Sequence, residues 1–157
     1  MAESHDPALA AICGIYCGTC PSYLAPRRED AAQVRVVAER HGISAEEVTC
    51  DGCLSERVMK PCRECRHGFR SCTAAHAITR CYECAEFPCD RLKRFMDAHV
   101  VDGISHHRDI IEDLEYSRTH GVAALLRHQA ERARCSTCGH TDYWFTRTCT
   151  KCGASLT

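Results

Sequence analysis

The stretch 135-CSTCGHTDYWFTRTCTKCG-153 carries two Cys-x2-Cys pairs, each followed directly by glycine and separated from the other by ten residues. In such a turn both thiolates point toward one ion, and the glycine lets the chain fold back. Two turns joined by a hairpin supply four ligands at about 2.3 Å from one Zn²⁺ and leave no coordination position open. The spacing therefore predicts a structural zinc ribbon, with residues 143–146 as its strand. Its ligands are Cys135, Cys138, Cys149 and Cys152.

Cysteine is unusually abundant in the whole chain. Fifteen of the 157 residues are cysteine, whereas the hydrophobic fraction of 45% and the charged fraction of 26% are ordinary. No run approaches the roughly 20 apolar residues that span a bilayer, and the N-terminus lacks the pattern of a secretory leader. We therefore expect a cytoplasmic protein without membrane contact. A reducing compartment and an odd cysteine count disfavour disulfides and favour metal binding.

Eleven cysteines precede the ribbon, between positions 13 and 89. Eight of them form four further Cys-x2-Cys pairs, which suffice for two more four-cysteine sites. The sequence does not decide which pairs share an ion. Structural zinc, at about three ions for the whole chain, is the favoured prediction, and an iron–sulfur cluster is the alternative for this block. The pairs are Cys17/Cys20, Cys50/Cys53, Cys62/Cys65 and Cys81/Cys84, and the remaining cysteines are Cys13, Cys72 and Cys89.

Two features of the upstream block favour redox or sulfur-transfer chemistry instead. The spacing Cys13-x3-Cys17-x2-Cys20 is that of radical S-adenosylmethionine enzymes, but this chain is too short for their α/β barrel. Cys89 lies at a predicted helix start, where unpaired backbone N–H groups stabilise a thiolate. The favoured interpretation is that Cys89 completes a metal site with Cys81 and Cys84.

The three unpaired cysteines therefore have open roles. Cys72 and His76 are four residues apart on a predicted helix, a spacing that fits ligation, although a histidine in this setting is more often on the surface. Cys13 is a ligand, a buried small apolar residue or a free thiol.

Apolar spacing predicts helices between and after the upstream cysteines. One helix over 29–41 ends before Gly42, and Ser44 with Glu47 forms a capping box. Ser71 is predicted to cap a helix over 71–78, and Ser105 another. A helix from Pro88 buries Leu92, Phe95, Met96 and Val100, the helix after Ser105 buries Ile110, Ile111 and Leu114, and a last helix from Val122 buries Leu125, Leu126 and Ala130 and ends near Arg134.

The predicted fold class is mainly α with small irregular or β parts stabilised by metal. We expect a cysteine-rich metal-binding domain over 1–104, a helical linker packed on it over 105–134, and the zinc ribbon over 135–157. Trp144 is the only tryptophan and either covers the metal or packs on the preceding helices.

The ten histidines are predicted to contribute little to metal binding. Neighbouring residues on a helix point in different directions, so His106 and His107 are interpreted as a solvated first turn. His67 and His140 are predicted to lie in exposed loops. No partner at ligand spacing is found for His5, His41, His99, His120 and His128.

The formal charge of −1 disfavours a nucleic-acid surface despite 17 arginines. Several arginines adjoin cysteines and are interpreted as balancing thiolate charge. No Ser-His-Asp order, phosphate-binding loop or HExxH motif is present, so no residue is assigned a catalytic role and an enzyme is not favoured. We expect structural metal sites and a surface for a protein partner. The arginines are Arg63, Arg66, Arg70, Arg80, Arg134 and Arg147.

Five cysteine motifs follow one another in order: CGIYCGTCP at 13–21, CDGC at 50–53, CREC at 62–65, SCTAAH at 71–76 and CYECAEFPC at 81–89. This order resembles a cysteine-rich prokaryotic group, the domain-of-unknown-function family 3795, some members of which also end in a zinc ribbon. The resemblance implies zinc binding by these cysteines and no assigned activity. Members commonly have Ile-Arg before the position of Cys72, where this chain has Phe69-Arg70, a departure that touches no ligand.

Overall fold

A computed structural model describes residues 6–156, and its regular structure is mainly α-helical, as predicted. Most of the helices are short, and the longer ones lie at 31–41 and 110–132. Four single 3₁₀ turns add to them. The helices are α1 (Pro21–Arg27), α2 (Ala31–His41), α3 (Lys60–Glu64), α4 (Phe69–Ala75), α5 (Asp90–Phe95), α6 (Ile110–His120) and α7 (Val122–Arg132), and the strands are β1 (Val100–Val101) and β2 (Ile104–Ser105).

The first two helices pack on each other and have clear sequence signals at their ends. Pro21 opens α1, where its missing N–H costs nothing, although this helix was not predicted. The Asp30 side chain accepts from the Gln33 N–H at 3.0 Å and caps α2, which begins at Ala31, two residues later than predicted. Gly42 ends α2 in the left-handed conformation, with φ of 62°. The capping box of Ser44 and Glu47 is confirmed.

The helix around Cys72 differs from its prediction. It begins at Phe69 rather than at Ser71, and it ends at Ala75. The Ser71 hydroxyl donates to the Gly68 carbonyl at 3.1 Å from inside the first turn, so Ser71 is not the cap. Phe69 is buried in the core, which explains why the helix starts early enough to include it.

A short antiparallel hairpin replaces the predicted continuation of the helix from Pro88. That helix, α5, begins after Cys89 and ends at Phe95, and Val100 pairs with Ser105 in the hairpin. Val100 is 55% exposed, so its predicted burial is wrong. The Ser105 hydroxyl donates to the Met96 carbonyl at 2.9 Å and accepts from the His107 N–H at 3.2 Å. Ser105 therefore fixes the hairpin instead of capping α6.

Within residues 6–156, the core consists of three small clusters rather than one large interior. The central cluster joins Phe69, Leu92, Phe95, Ile110 and Leu114 with two buried cysteines, Cys13 and Cys81. A second cluster, under α2, includes Cys50, and a third joins Leu9 to Leu125 and Leu126 of α7. Cysteines therefore occupy positions that a larger domain fills with apolar side chains. Among residues 6–156, none of the helices has the length and apolarity to cross a bilayer.

The segment after α7 contacts earlier parts of the chain. Residues 143–146 form a turn and not the predicted strand, and single bridges join Arg134 to Thr141 and Thr148 to Ser155. The Trp144 N–H donates to the Thr19 carbonyl at 3.3 Å, and the Trp144 ring packs on His106. Arg28 donates to the Thr141 carbonyl, and Arg147 donates to the Asp102 carbonyl. Both hydrogen bonds also join this segment to earlier parts of the chain. The division into domains at 104 and 134 stays a prediction.

Candidate metal centre

The C-terminal cysteine cluster (Cys135, Cys138, Cys149 and Cys152) is assembled by two facing turns. Cys135 Sγ lies 3.6 Å from Cys152 Sγ, and Cys138 Sγ lies 3.6 Å from Cys149 Sγ. Each contact joins one turn to the other. Four sulfurs around a tetrahedral Zn²⁺ are about 3.8 Å apart when each Zn–S bond is about 2.3 Å. The spacing of the sulfurs therefore fits a closed tetrahedral site.

The two turns share one backbone pattern, which explains why the sequence repeats. The N–H of Gly139 donates to the Cys135 carbonyl at 2.8 Å, and the N–H of Gly153 donates to the Cys149 carbonyl at 2.9 Å. Both glycines have positive φ, of 70° and 76°. The N–H groups of Cys138 and, next, Thr137 lower the pKa of the Cys135 thiol to about 7, because they stabilise its thiolate.

A buried carboxylate ties the two turns together. Asp142 is 4% exposed and accepts from the Thr150 hydroxyl at 2.6 Å and from the Thr150 N–H at 3.3 Å. His140 Nε2 lies 3.7 Å from the same carboxylate, so the side chain of His140 is half-buried and not in an exposed loop. The burial of Asp142 was not predicted, since an aspartate in a hairpin is usually solvated.

Among residues 6–156, two groups of side chains have at least three ligand atoms all within 4.8 Å of one another. One is the C-terminal cysteine cluster and the other is a histidine trio. No three of the upstream cysteines in this part of the chain reach that spacing. Their thiols nevertheless fall into two neighbourhoods, which the electrostatic interactions among them define.

One neighbourhood contains Cys72, Cys81, Cys84 and Cys89 and is called the second cysteine set. Burial raises the pKa of the Cys81 thiol to about 12, and negative charge on Cys89, Cys72 and Cys84 contributes to the rise. Cys89 lies at the N-cap of α5, as predicted, and Cys72 lies on α4. The structure thus brings two unpaired cysteines to one Cys-x2-Cys pair. His76 is exposed at the end of α4.

The other neighbourhood contains residues that come earlier in the chain and is called the first cysteine set. Its members are Cys17, Cys20, Cys50, Cys53, Cys62 and Cys65. Burial raises the pKa of Cys17 well above its usual value, and charge on Cys20, Cys53 and Cys50 raises it further. Charge on Cys20, Cys50, Cys53 and Cys65 acts on Cys62 in the same direction. Three Cys-x2-Cys pairs therefore converge on one region. Cys13 is buried between the two sets, near both Cys53 and Cys81.

Polar contacts around the first cysteine set suit thiolates. The Gly52 N–H donates to Cys50 Sγ at 3.5 Å. The Arg70 guanidinium lies 3.8 Å from Cys53 Sγ and donates to the Cys62 carbonyl at 3.1 Å. Arg70 is one of the arginines that were predicted to balance thiolate charge, and it is placed beside a cysteine sulfur. A buried thiol that lies near other thiols resists ionisation. A bound metal overcomes this resistance, because it deprotonates its thiol ligands outright.

The histidine trio (His99, His106 and His107) was missed by the sequence reasoning. His107 is 4% exposed and His106 is half-buried, so their assignment to a solvated first turn is wrong. They precede α6 in an irregular segment, where neighbouring side chains are free to point the same way. Burial lowers the pKa of His106 to about 3 and that of His107 to about 4. Burial, and secondarily Arg40, also lowers the pKa of His99.

The remaining histidines give a mixed result. His67 is exposed, as predicted, and packs against Phe95 at 4.6 Å between ring centroids. His120 and His128 are exposed and stack on Tyr116. His41 is half-buried at the end of α2. His5 lies outside the described residues.

Comparison with known proteins gives one match. The sequence profile of a family described as "Protein of unknown function (DUF3795)" matches residues 9–94. The chain belongs to this family. No curated protein and no solved structure matches the chain. The matched residues contain all eleven upstream cysteines and end before the histidine trio and the C-terminal cysteine cluster.

Proposed function

We propose that this DUF3795 member is a zinc protein whose cysteine sites are structural and whose surface serves a protein partner. The observation that carries the proposal is the C-terminal cysteine cluster, with its cross-turn sulfur distances of 3.6 Å. Four thiolates fill every position of a tetrahedral zinc, so such a site holds the chain together and offers no position to a substrate.

Two further ions are assigned to the upstream cysteines. The second cysteine set supplies four thiols, one from within α4, one from the N-cap of α5 and two from the Cys81/Cys84 pair, and it takes one ion. The first cysteine set offers six thiols, more than one tetrahedral site needs, and takes the other. Movement of these side chains is required, because no three of their sulfurs lie within 4.8 Å of one another among the described residues. The total is about three cysteine-bound ions.

The small core supports a structural role for these ions. Cys50 and Cys81, one from each cysteine set, are buried within the apolar clusters that contain Met59 and Phe69. The apparent binding free energy of a structural zinc site is about 10–16 kcal/mol, which far exceeds what one buried aliphatic side chain supplies. Metal binding at these positions compensates for the limited apolar burial.

Elemental analysis of the full chain by plasma emission, together with X-ray absorption at the zinc edge, tests the proposal. About three zinc ions per chain, bound through sulfur, are the expected result. Iron with acid-labile sulfide, and absorbance at about 400 nm after anaerobic purification, would show that the upstream block holds an iron–sulfur cluster instead of zinc. Protein that folds with fewer than one sulfur-bound zinc would overturn the proposal.

The proposed partner surface has its own test. Affinity purification of the full zinc-loaded chain, followed by mass spectrometry, is expected to recover a stoichiometric protein partner that is lost on zinc removal. Binding of nucleic acid that weakens steeply with salt would point instead to an electrostatic nucleic-acid surface.

A further inference from the structure

We propose that His99, His106 and His107 bind one divalent cation such as Zn²⁺, at a site separate from all the cysteine sites. The ligand nitrogens of the three rings lie within 4.8 Å of one another. In tetrahedral zinc sites with Zn–N bonds of about 2.0–2.1 Å, the nitrogens are about 3.4 Å apart. Small rotations of the three side chains close that difference.

The hairpin of β1 and β2 creates this trio, because His99 directly precedes β1 and His106 directly follows β2. The His106 N–H donates to the His99 carbonyl at 3.1 Å, so the two residues face each other where the hairpin closes. His107 follows directly, and the Ser105 hydroxyl holds its backbone N–H at 3.2 Å. The backbone therefore brings the three residues next to one another.

The hydrogen bond of His107 leaves one nitrogen free for a metal. Its Nδ1 lies 2.9 Å from the Phe95 carbonyl. A carbonyl only accepts, so Nδ1 carries the proton, and the lone pair of the neutral ring is on Nε2. A backbone carbonyl that orients a ligating imidazole in this way is a common feature of metal sites. The Phe95 ring stacks on the His107 ring at 3.9 Å and restricts its rotation.

His106 provides an independent indication of a ligand. Its Nε2 is buried and has no hydrogen-bond partner. A buried polar atom without a partner is energetically costly, and a bound cation would remove this cost. Trp144 stacks on the ring at 4.5 Å with an interplanar angle of 8°, which holds the imidazole in place. His99 completes the arrangement, at 5.1 Å from the same indole.

The site would differ in kind from the cysteine sites. Three neutral imidazoles leave a fourth position of the tetrahedron for water, whereas four thiolates leave none. Of the trio, His106 lines a pocket of about 470 Å³, together with Trp144. No histidine of the trio belongs to the cysteine sets, so this proposal and the zinc proposal for the cysteines fail or succeed separately.

Zinc content of the full chain is the first test. His106→Gln is expected to lower the zinc content by one ion per chain. His128→Gln, which changes an exposed histidine on α7, is expected to leave it unchanged. Equal zinc content in wild type and His106→Gln, with both folded by circular dichroism and Trp144 emission, would overturn the proposal.

A measurement on the wild-type chain covers the case in which His106→Gln does not fold. In protein loaded with ¹¹³Cd²⁺, scalar coupling between cadmium and the imidazole protons identifies nitrogen ligands directly. Coupling to the ring protons of the trio is the expected result. Coupling to cysteine β-protons alone, with cadmium in excess, would show that the rings pack on Trp144 without a metal.

Discussion

The C-terminal cysteine cluster and the upstream cysteines use the same Cys-x2-Cys unit but reach different states of assembly. In the C-terminal cysteine cluster, two adjacent turns bring the sulfurs to 3.6 Å. The upstream cysteines come from several short helices and loops, and among residues 6–156 no three of them reach 4.8 Å. Local turns arrange ligands by themselves, whereas ligands from distant segments depend on tertiary packing around the ion.

The largest expected effect comes from the second cysteine set. Cys81→Ser/Cys84→Ser is expected to unfold the upstream region, because Cys81 lies in the central core cluster with Phe69 and Leu92. The free energy of unfolding should fall by more than about 4 kcal/mol, as is typical when a metal site is lost. Chemical denaturation followed by circular dichroism measures this.

Ala85→Ser is the matched control, since Ala85 is exposed in the same loop. Its unfolding curve should superimpose on that of the wild type. A double cysteine variant with wild-type stability would show that the second cysteine set holds no structural ion.

A smaller and more local loss is expected for Cys149→Ala. This substitution should unravel the C-terminal cysteine cluster and leave the upstream helices largely folded, since the two regions share no proposed ligand. Trp144 emission reports on the C-terminal region and helical circular dichroism on the remainder, because Trp144 is the only tryptophan.

Lys151→Ala changes an exposed residue between Cys149 and Cys152 and should alter neither the Trp144 emission nor the circular dichroism. If Cys149→Ala instead melts the whole chain in one transition at a much lower temperature, the separation of the two regions is wrong.

The smallest expected effect concerns the contact between the two regions. The Tyr143 hydroxyl donates to the Asp30 carboxylate at 2.8 Å, across the boundary. Tyr143→Phe removes this bond and should cost about 1 kcal/mol, without loss of zinc. The control variant is Tyr82→Phe, which removes the hydroxyl of a half-buried tyrosine in the upstream core. Zinc loss from Tyr143→Phe would mean that docking and metal binding are coupled.

Short-range features of the chain were predictable from sequence, and long-range ones were not. The turns of the C-terminal cysteine cluster, the capping box at Ser44 and the glycine that ends α2 depend on a few adjacent residues. The hairpin at Val100 was missed because apolar spacing alone favoured a longer helix. The trio of His99, His106 and His107 was missed because that hairpin, and not sequence spacing, brings the rings together. The grouping of Cys72 with Cys81 likewise depends on how α4 packs.

Hydrogen–deuterium exchange before and after metal removal tests the central claim, that bound ions stand in for a large apolar core. Removal by a strong chelator should be verified by elemental analysis. The account predicts loss of amide protection in both regions, including the Gly52 N–H that donates to Cys50 Sγ, and recovery on adding Zn²⁺. Unchanged protection in metal-free protein would contradict it.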